Sequence, residues 1–322
     1  MDFQLSDDQR ALRSGMRDLL GAAFDRDGLR AAVGRGGGVD RGLWRELGAA
    51  GFFALRLPEE SGGVGLGLPE AVLLFEEAGR ALLPGPLVAT HLAAGLVKGA
   101  AEGEAVVTAS QGGGLPVADL RGADAVLVAG GVLTGEELAA FVAGARPVRS
   151  MDPLTPLHRA EGLVAAAEAY PGALRGEGAL LTAAEQLGSA ARTTEMAVQH
   201  ARTREQFGSL IGSFQAVKHL CADMLARTEP ARGAVYAAAV TGDPVEIAAA
   251  KLLADDAAVR NARDCLQIHG GMGFTWEADV HLHLKRAWLR AARWLSAAEA
   301  EEILAAGLGP VRPLYGGSAA LG

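Results

Sequence analysis

At 322 residues the chain has room for about two or three packed units around a substantial core, which sets aside a peptide-like binding module. A net charge of −8 and a pI near 5.5 leave no basic footprint of the kind nucleic acid requires. Half of the residues are hydrophobic, much of that alanine, while aromatics make up only 5% and the 44 glycines are spread out rather than repeated. The composition reads as an alanine-rich helical protein.

The longest uncharged run, 81–97, is broken by Pro84 and Pro86 and falls short of the ~20 apolar residues a membrane helix needs. The opening MDFQLSDDQR is acidic where a secretory signal is basic and then apolar. Cys221 and Cys265, neither in a CxxC pair, suit reduced core residues better than a disulfide framework or a zinc site. The expected location is the cytoplasm, with no membrane insertion.

Three textures follow one another. From residue 1 to 103, helical patterns alternate with loops: Ser6 stands as an N-cap ahead of Leu12, Met16, Leu19 and Leu20 at helical spacing. LWRELGAAGFFAL (43–55) comes next, then the glycine-rich loop PEESGGVGLG (58–67) and a helix that opens on Pro69 and stops before Pro84. Residues 104–170 change to short runs, AVVTA, LPVAD and AVLVAGGVL, separated by glycines and aspartates, which predict short strands and turns. From 171 to 322 the pattern is helical again, with Leu180, Ala184, Leu187, Ala191, Thr194 and Val198 at helical spacing and two later helical stretches, 246–269 and 278–295. The expectation is a mainly α chain with a helical N-terminal domain, a reduced middle β region and a C-terminal four-helix bundle.

Two segments carry groups suited to a ligand. HARTREQFG (200–208) places Arg202 and Arg204 at a helix end beside a turn at Gly208, where guanidinium groups suit phosphate or carboxylate. A solvated cationic helix end complements the helix dipole and explains the same pair. QIHGGMGF (267–274) ends a helix at Gln267 and His269, and Gly270 and Gly271 let the chain turn while exposing backbone N–H groups. A plain helix C-cap followed by a turn explains that pattern as well. His281 and His283 flank one leucine on a helix, point in different directions and make a poor metal pair, so no metal is expected.

In order and at their separation the two segments become specific. REQFG (204–208), then Phe214 with Gln215, then Ala222, Asp223 and Met224, and later QIHGGMGFTWE (267–277), resemble the acyl-CoA dehydrogenase family, whose carboxy-terminal bundle carries R-x-Q-F-G, F-Q, A-D-M and Q-x-x-G-G-x-G segments. MDFQLSDDQRALRSGMRDLL, LWRELGAAGFFALRLPEESGGVGLG and EEAGRALLPGPL are similar to the family's helical first domain. The resemblance spans residues 1 to about 100 and 180 to about 290.

The resemblance implies FAD shared across a subunit interface, with the flavin ring in one subunit and its pyrophosphate and adenosine end on the neighbour. Arg204 would meet the pyrophosphate, Gln206 and Phe207 would line the same cleft, and Gln267, Gly270 and Gly271 would take the adenosine end. Two departures follow. Residues 104–170 contain no T-E-P-x-x-G-S-D type segment to support a flavin ring and are too short for the complete barrel. The base needed to remove a proton α to the thioester carbonyl is also absent where many members carry Y-E-G-T, since Arg293, Trp294 and Leu295 stand there.

Other members place the glutamate at the start of the bundle's first helix. The acids here are Glu177, one residue out of register and equally a surface acid favoured by the helix dipole, and Glu185 further along. Glu59 and Glu60 resemble the family's loop near the acyl pocket and read equally as a solvated turn. The resemblance therefore implies a shortened, non-catalytic subunit of a heteromeric acyl-CoA dehydrogenase. It would be an α2β2 heterotetramer with a full-length partner, as in some actinobacterial steroid side-chain dehydrogenases, acting on an acyl-CoA. Two alternatives stand beside it: a self-sufficient homomeric enzyme using Glu177 or Glu185, and a flavin-free assembly or acyl-CoA-binding protein of the same fold.

Overall fold

The computed structural model describes residues 4–112, 114–160 and 172–308, with backbone alone at 172 and 173, so the expected boundary at 170/171 lies outside the described residues. Helix α1 (Asp7–Ala23) starts in a reciprocal cap: the Gln9 amide donates to Ser6 Oγ at 3.1 Å and the Ser6 amide to Gln9 Oε1 at 3.0 Å. Asp25 and Asp40 cap α2 (Arg26–Gly34) and α3 (Arg41–Ala49) in the same way from one side. After the glycine-rich loop come α4 (Leu68–Arg80) and the short α5 (Leu87–Leu92).

Helix α4 is buried from Ala71 through Gly79, so the two acids in that stretch, Glu76 and Glu77, need partners inside the fold. Arg17 of α1 grips Glu77 through two bonds of 2.8 and 2.6 Å. Glu76 takes the Tyr236 hydroxyl at 2.6 Å and the Arg232 guanidinium. Around α4 sits the aromatic cluster of Trp44, Phe52, Phe53 and Phe75.

The middle region holds β1 (Val107–Ala109), β2 (Val117–Ala118), β3 (Ala125–Val128), β4 (Gly131–Leu133), α6 (Gly135–Ala143), β5 (Ala145–Val148) and β6 (Leu157–Ala160). They form two three-stranded sheets in the orders β1-β3-β4 and β2-β6-β5, with β1 parallel to β3 and the other pairs antiparallel. β1 to β4 fall on the expected runs, whereas β5 and β6 lie beyond them, in stretches where the sequence reading named no strand. Helix α6 was not expected, because the short-run texture was read as strands and turns throughout. Its signal is present in Leu138, Phe141 and Val142 at helical spacing, and these residues pack over β3 and β2 in a small core of their own.

The C-terminal part comprises α7 (Gly172–Thr203), a hairpin of β7 (Glu205–Gln206) and β8 (Ser209–Leu210), then α8 (Gln215–Thr241), α9 (Pro244–His269), α10 (Val280–Ala291) and α11 (Ala297–Gly307). The alanine content has its explanation here. Ala183, Ala184 and Ala190 of α7 and Ala250, Ala254 and Ala257 of α9 are fully buried, and side chains this small let long helices lie close along their length. Asn261 on α9 ties three helices together, donating at 3.0 Å to the Met224 carbonyl of α8 and at 3.2 Å to Thr194 Oγ1 of α7. No helix among the described residues is long and apolar enough to cross a membrane.

Candidate functional site

The two sequence segments meet at one end of the bundle. His200, one turn before Arg204, stacks on His269, which immediately precedes Gly270, with ring centroids 4.1 Å apart and planes 16° from parallel. Ala201, Ile211, Leu266 and Ile268 belong to one hydrophobic cluster under them. Beyond α7, Gln206 pairs with Ser209 across a two-residue turn in which Phe207 and Gly208 have φ of 55° and 74°, the twist a tight hairpin requires. Phe207 is 94% exposed at that tip, an aromatic residue in a backbone region that side chains disfavour. Arg204 is exposed and makes no ion pair among the described residues.

Gln267 is likewise exposed on the last turn of α9. Gly270 adopts φ 58°, ψ −140°, a conformation for glycine. A Cβ at Gly271 would meet nothing within 4 Å among the described residues, so no packing contact there calls for glycine, whereas a group approaching the backbone from outside would. The bundle end thus offers an unpaired guanidinium, two exposed amide side chains and bare backbone. That donor set fits a diphosphate. Arg202 is exposed and lines a separate groove with Cys221 and Leu225.

A second site lies where the three regions join. A cavity of about 90 Å³ is walled by α5, the ends of β1 and β2, α7 and α10. Its charged residues are Asp119, Glu185, Arg286, Arg290 and Arg293. Glu185 accepts from Arg290 at 2.7 Å, and Arg286 is bonded to Asp152 and to the Leu83 carbonyl. Burial pushes the Glu185 carboxyl up, opposed by Arg290 and Arg286, and pushes Arg290 down to about 10. Arg286 and Arg290 escaped the sequence reading, although their i, i+4 spacing on α10 is the signal of a shared environment, and Arg293 was noted only as standing where the base is expected.

Next to this cavity Trp294 takes φ 62°, held by the Gln111 side chain on its N–H at 2.9 Å and by Arg175 on its carbonyl at 2.7 Å. Its ring presses on α7, where a Cβ at Gly178 would lie 2.3 Å away. Glu177, one residue earlier, is clamped by both arms of Arg56 at 2.8 and 3.2 Å. Both acids considered as bases are therefore engaged by arginine. Glu59 and Glu60 are exposed in a single 3-10 turn.

His281 and His283 do not converge. His281 lies edge-on to Trp276, while His283 is buried with its Nδ1 2.8 Å from Ser189 Oγ. No group of three His, Cys, Asp or Glu side chains placed to hold a metal occurs among the described residues. Burial, reinforced by Arg192 and Arg290, pushes His283 from 6.5 down to about 3. The stability linked to it is full above pH 6.5 and is lost as pH falls toward 3, because the unfolded chain takes up a proton that the fold refuses. Asp119, raised by burial to about 7, titrates in the opposite sense over the upper part of that window. The contribution is therefore read as a difference: between pH 7 and 5.5 the wild type should lose about 1 kcal/mol more than His283→Gln in urea denaturation.

Comparison with known proteins identifies the family. Residues 6–102 match the acyl-CoA dehydrogenase N-terminal domain and residues 175–300 match the acyl-CoA dehydrogenase C-terminal domain. The chain belongs to the acyl-CoA dehydrogenase family. Acyl-CoA dehydrogenase IpdE2 of Mycobacterium tuberculosis is 36% identical over 87% of this chain and 91% of its own length. Butyryl-CoA dehydrogenase from Megasphaera elsdenii shares the fold at a TM-score of 0.81 and 20% identity, covering 96% of this chain and 100% of that one. The same holds for the ChsE4–ChsE5 complex from Mycobacterium tuberculosis at 0.77 and 24%, covering 97% and 100%. The region between the two matched domains of this chain contains both small sheets and one wall of the arginine-lined cavity.

Proposed function

We propose that this chain is a non-catalytic subunit of a heteromeric acyl-CoA dehydrogenase that holds the pyrophosphate and adenosine end of an FAD whose ring is seated in a full-length partner. The observation that carries the reading is the size and lining of the junction cavity. At about 90 Å³, walled by three arginines, it is several times smaller than the ~300–1,000 Å³ of ordinary ligand pockets. It fits neither a flavin ring nor an acyl thioester. The bundle end is the opposite case, with Arg204 unpaired, Gly270 and Gly271 bare and Phe207 presented to solvent.

FAD, when bound, would accept hydride from the β carbon of an acyl-CoA in the α,β-desaturation. This chain's own part would be binding: Arg204 on the pyrophosphate, Gln206 and Phe207 along the cleft, and Gln267, Gly270 and Gly271 at the adenosine end. Glu177, committed to Arg56, is read as a tie between α7 and the loop after α3 rather than as a base. The partner would be a full-length acyl-CoA dehydrogenase subunit, and the heteromeric nature of ChsE4–ChsE5 supports an α2β2 assembly. Steroid side-chain thioesters are the proposed substrate class.

The test is the flavin-to-chain ratio of the protein alone and after co-expression with a full-length dehydrogenase. The expected result is almost no flavin alone and about one flavin per two chains in the complex. A ratio near one in the protein alone would overturn the reading. In the complex, Arg204→Ala should weaken flavin binding by about 10- to 100-fold, the usual loss for a charged hydrogen bond. An unchanged flavin content would instead favour a flavin-free assembly role.

A further inference from the structure

We infer that the junction cavity binds one small oxyanion, a carboxylate or an inorganic ion of phosphate type, between Arg286 and Arg290. The two arginines stand one turn apart on α10, at positions i and i+4, and so share a face. Each is only partly satisfied by protein. Arg286 uses Nε on Asp152 and Nη1 on the Leu83 carbonyl at 3.1 Å, which leaves Nη2 buried without a partner among the described residues. Arg290 gives Nη2 to Glu185 at 2.7 Å, and its Nη1 is likewise buried without a partner among the described residues. The side chains are 4% and 7% exposed, so bulk water does not serve these donors.

Both residues line the cavity, and two buried charged N–H groups are costly unless an acceptor reaches them. A guanidinium pair matches the oxygen spacing of a carboxylate or phosphate, and Arg293 adds a third cation to the same cavity. Asp119 also lines the cavity and has a buried Oδ1 without a partner among the described residues. Burial raises it to about 7, against the opposing charges of Arg286 and Arg293 and with a small push from Asp152. In its protonated form Asp119 donates a hydrogen bond to an anion and does not repel it. A volume of about 90 Å³ admits a small ion and excludes a flavin or a thioester. An ion held there would join α10 to the walls contributed by α5, β2 and α7.

This inference shares the small junction cavity with the flavin reading, but Arg204 lies beyond the end of α7 and takes no part in the cavity, so the two are tested by different residues. Isothermal titration of the intact chain with sodium phosphate and with sodium acetate, each against sodium chloride at matched ionic strength, tests it. Saturable one-site binding of phosphate alone assigns an inorganic ion, and of acetate alone a carboxylate. At pH 8, Asp119→Asn should tighten binding about tenfold by removing a competing carboxylate. Arg290→Gln, which keeps a donor for Glu185 and lacks the second arm, should weaken it about 10- to 100-fold. The inference is overturned if neither salt gives saturable binding. It is equally overturned if the binding survives Arg290→Gln and disappears in Arg204→Ala, which would put the ion at the bundle end. Should Arg290→Gln not fold, an affinity unchanged by Asp119→Asn at pH 8 would be decisive against it.

Discussion

Gly188→Val is expected to abolish folding of the isolated chain or to cost at least about 4 kcal/mol in urea denaturation, at the far end of the range for single substitutions. Helices α4 and α7 cross with backbone against backbone. A Cβ at Gly188 would lie 1.8 Å from the Glu76 carbonyl oxygen, and one at Gly79 would lie 2.0 Å from the Glu185 carbonyl oxygen. Neither neighbour is the tip of a flexible side chain, so the helices would have to separate along their length. That separation would also expose Glu76 and Glu185 and pull apart the cavity wall they support. Gly15 in α1 is the control, since a Cβ there meets nothing. Gly15→Ala should stabilise the protein by about 0.5–1 kcal/mol. A Gly188→Val protein as stable as the wild type would mean that this crossing is looser than the close contact described.

Arg290→Leu carries the second large effect, about 3–5 kcal/mol, because it leaves Glu185 buried with no cation bonded to it. The double variant Arg290→Leu/Glu185→Leu should recover most of that loss, since replacing a buried ion pair by apolar groups is often neutral. The coupling energy from the four proteins of the cycle separates the pair from the packing of its stems. Single and double variants of equal stability would mean that Glu185 finds another partner, with Arg286 the nearest alternative. The pair also bears on function, because a carboxylate bonded to a buried guanidinium is poorly placed to take a proton from substrate.

Much of the architecture was legible along the chain because local chemistry specified it. Ser6 with Gln9, Pro69 at the start of α4, and the glycines punctuating 104–133 act within a few residues of themselves, so their consequences could be read without a fold. The bundle-end residues were legible for a different reason. Arg204, Gln206, Phe207, Gln267, Gly270 and Gly271 form ordered motifs that resemble those of known dehydrogenases, and the residues taken singly were explained equally well by a helix end and a cap. Helix α6 was missed because its apolar spacing lies among glycine-bounded runs that otherwise form strands.

Pairing across long sequence separations was not legible. Nothing near Glu177 announces Arg56, and nothing near Glu185 announces Arg290, yet these contacts turn two possible bases into structural anions. Nor does the sequence reveal that Trp294 closes on Gly178, or that the alanines of α7 and α9 face one another. Composition and local spacing set which helices form, where they begin and which short runs become strands, because those choices depend on neighbours in the chain. The charge state and accessibility of each acid and arginine depend instead on which distant side chains share its burial, and that is settled when the helices pack.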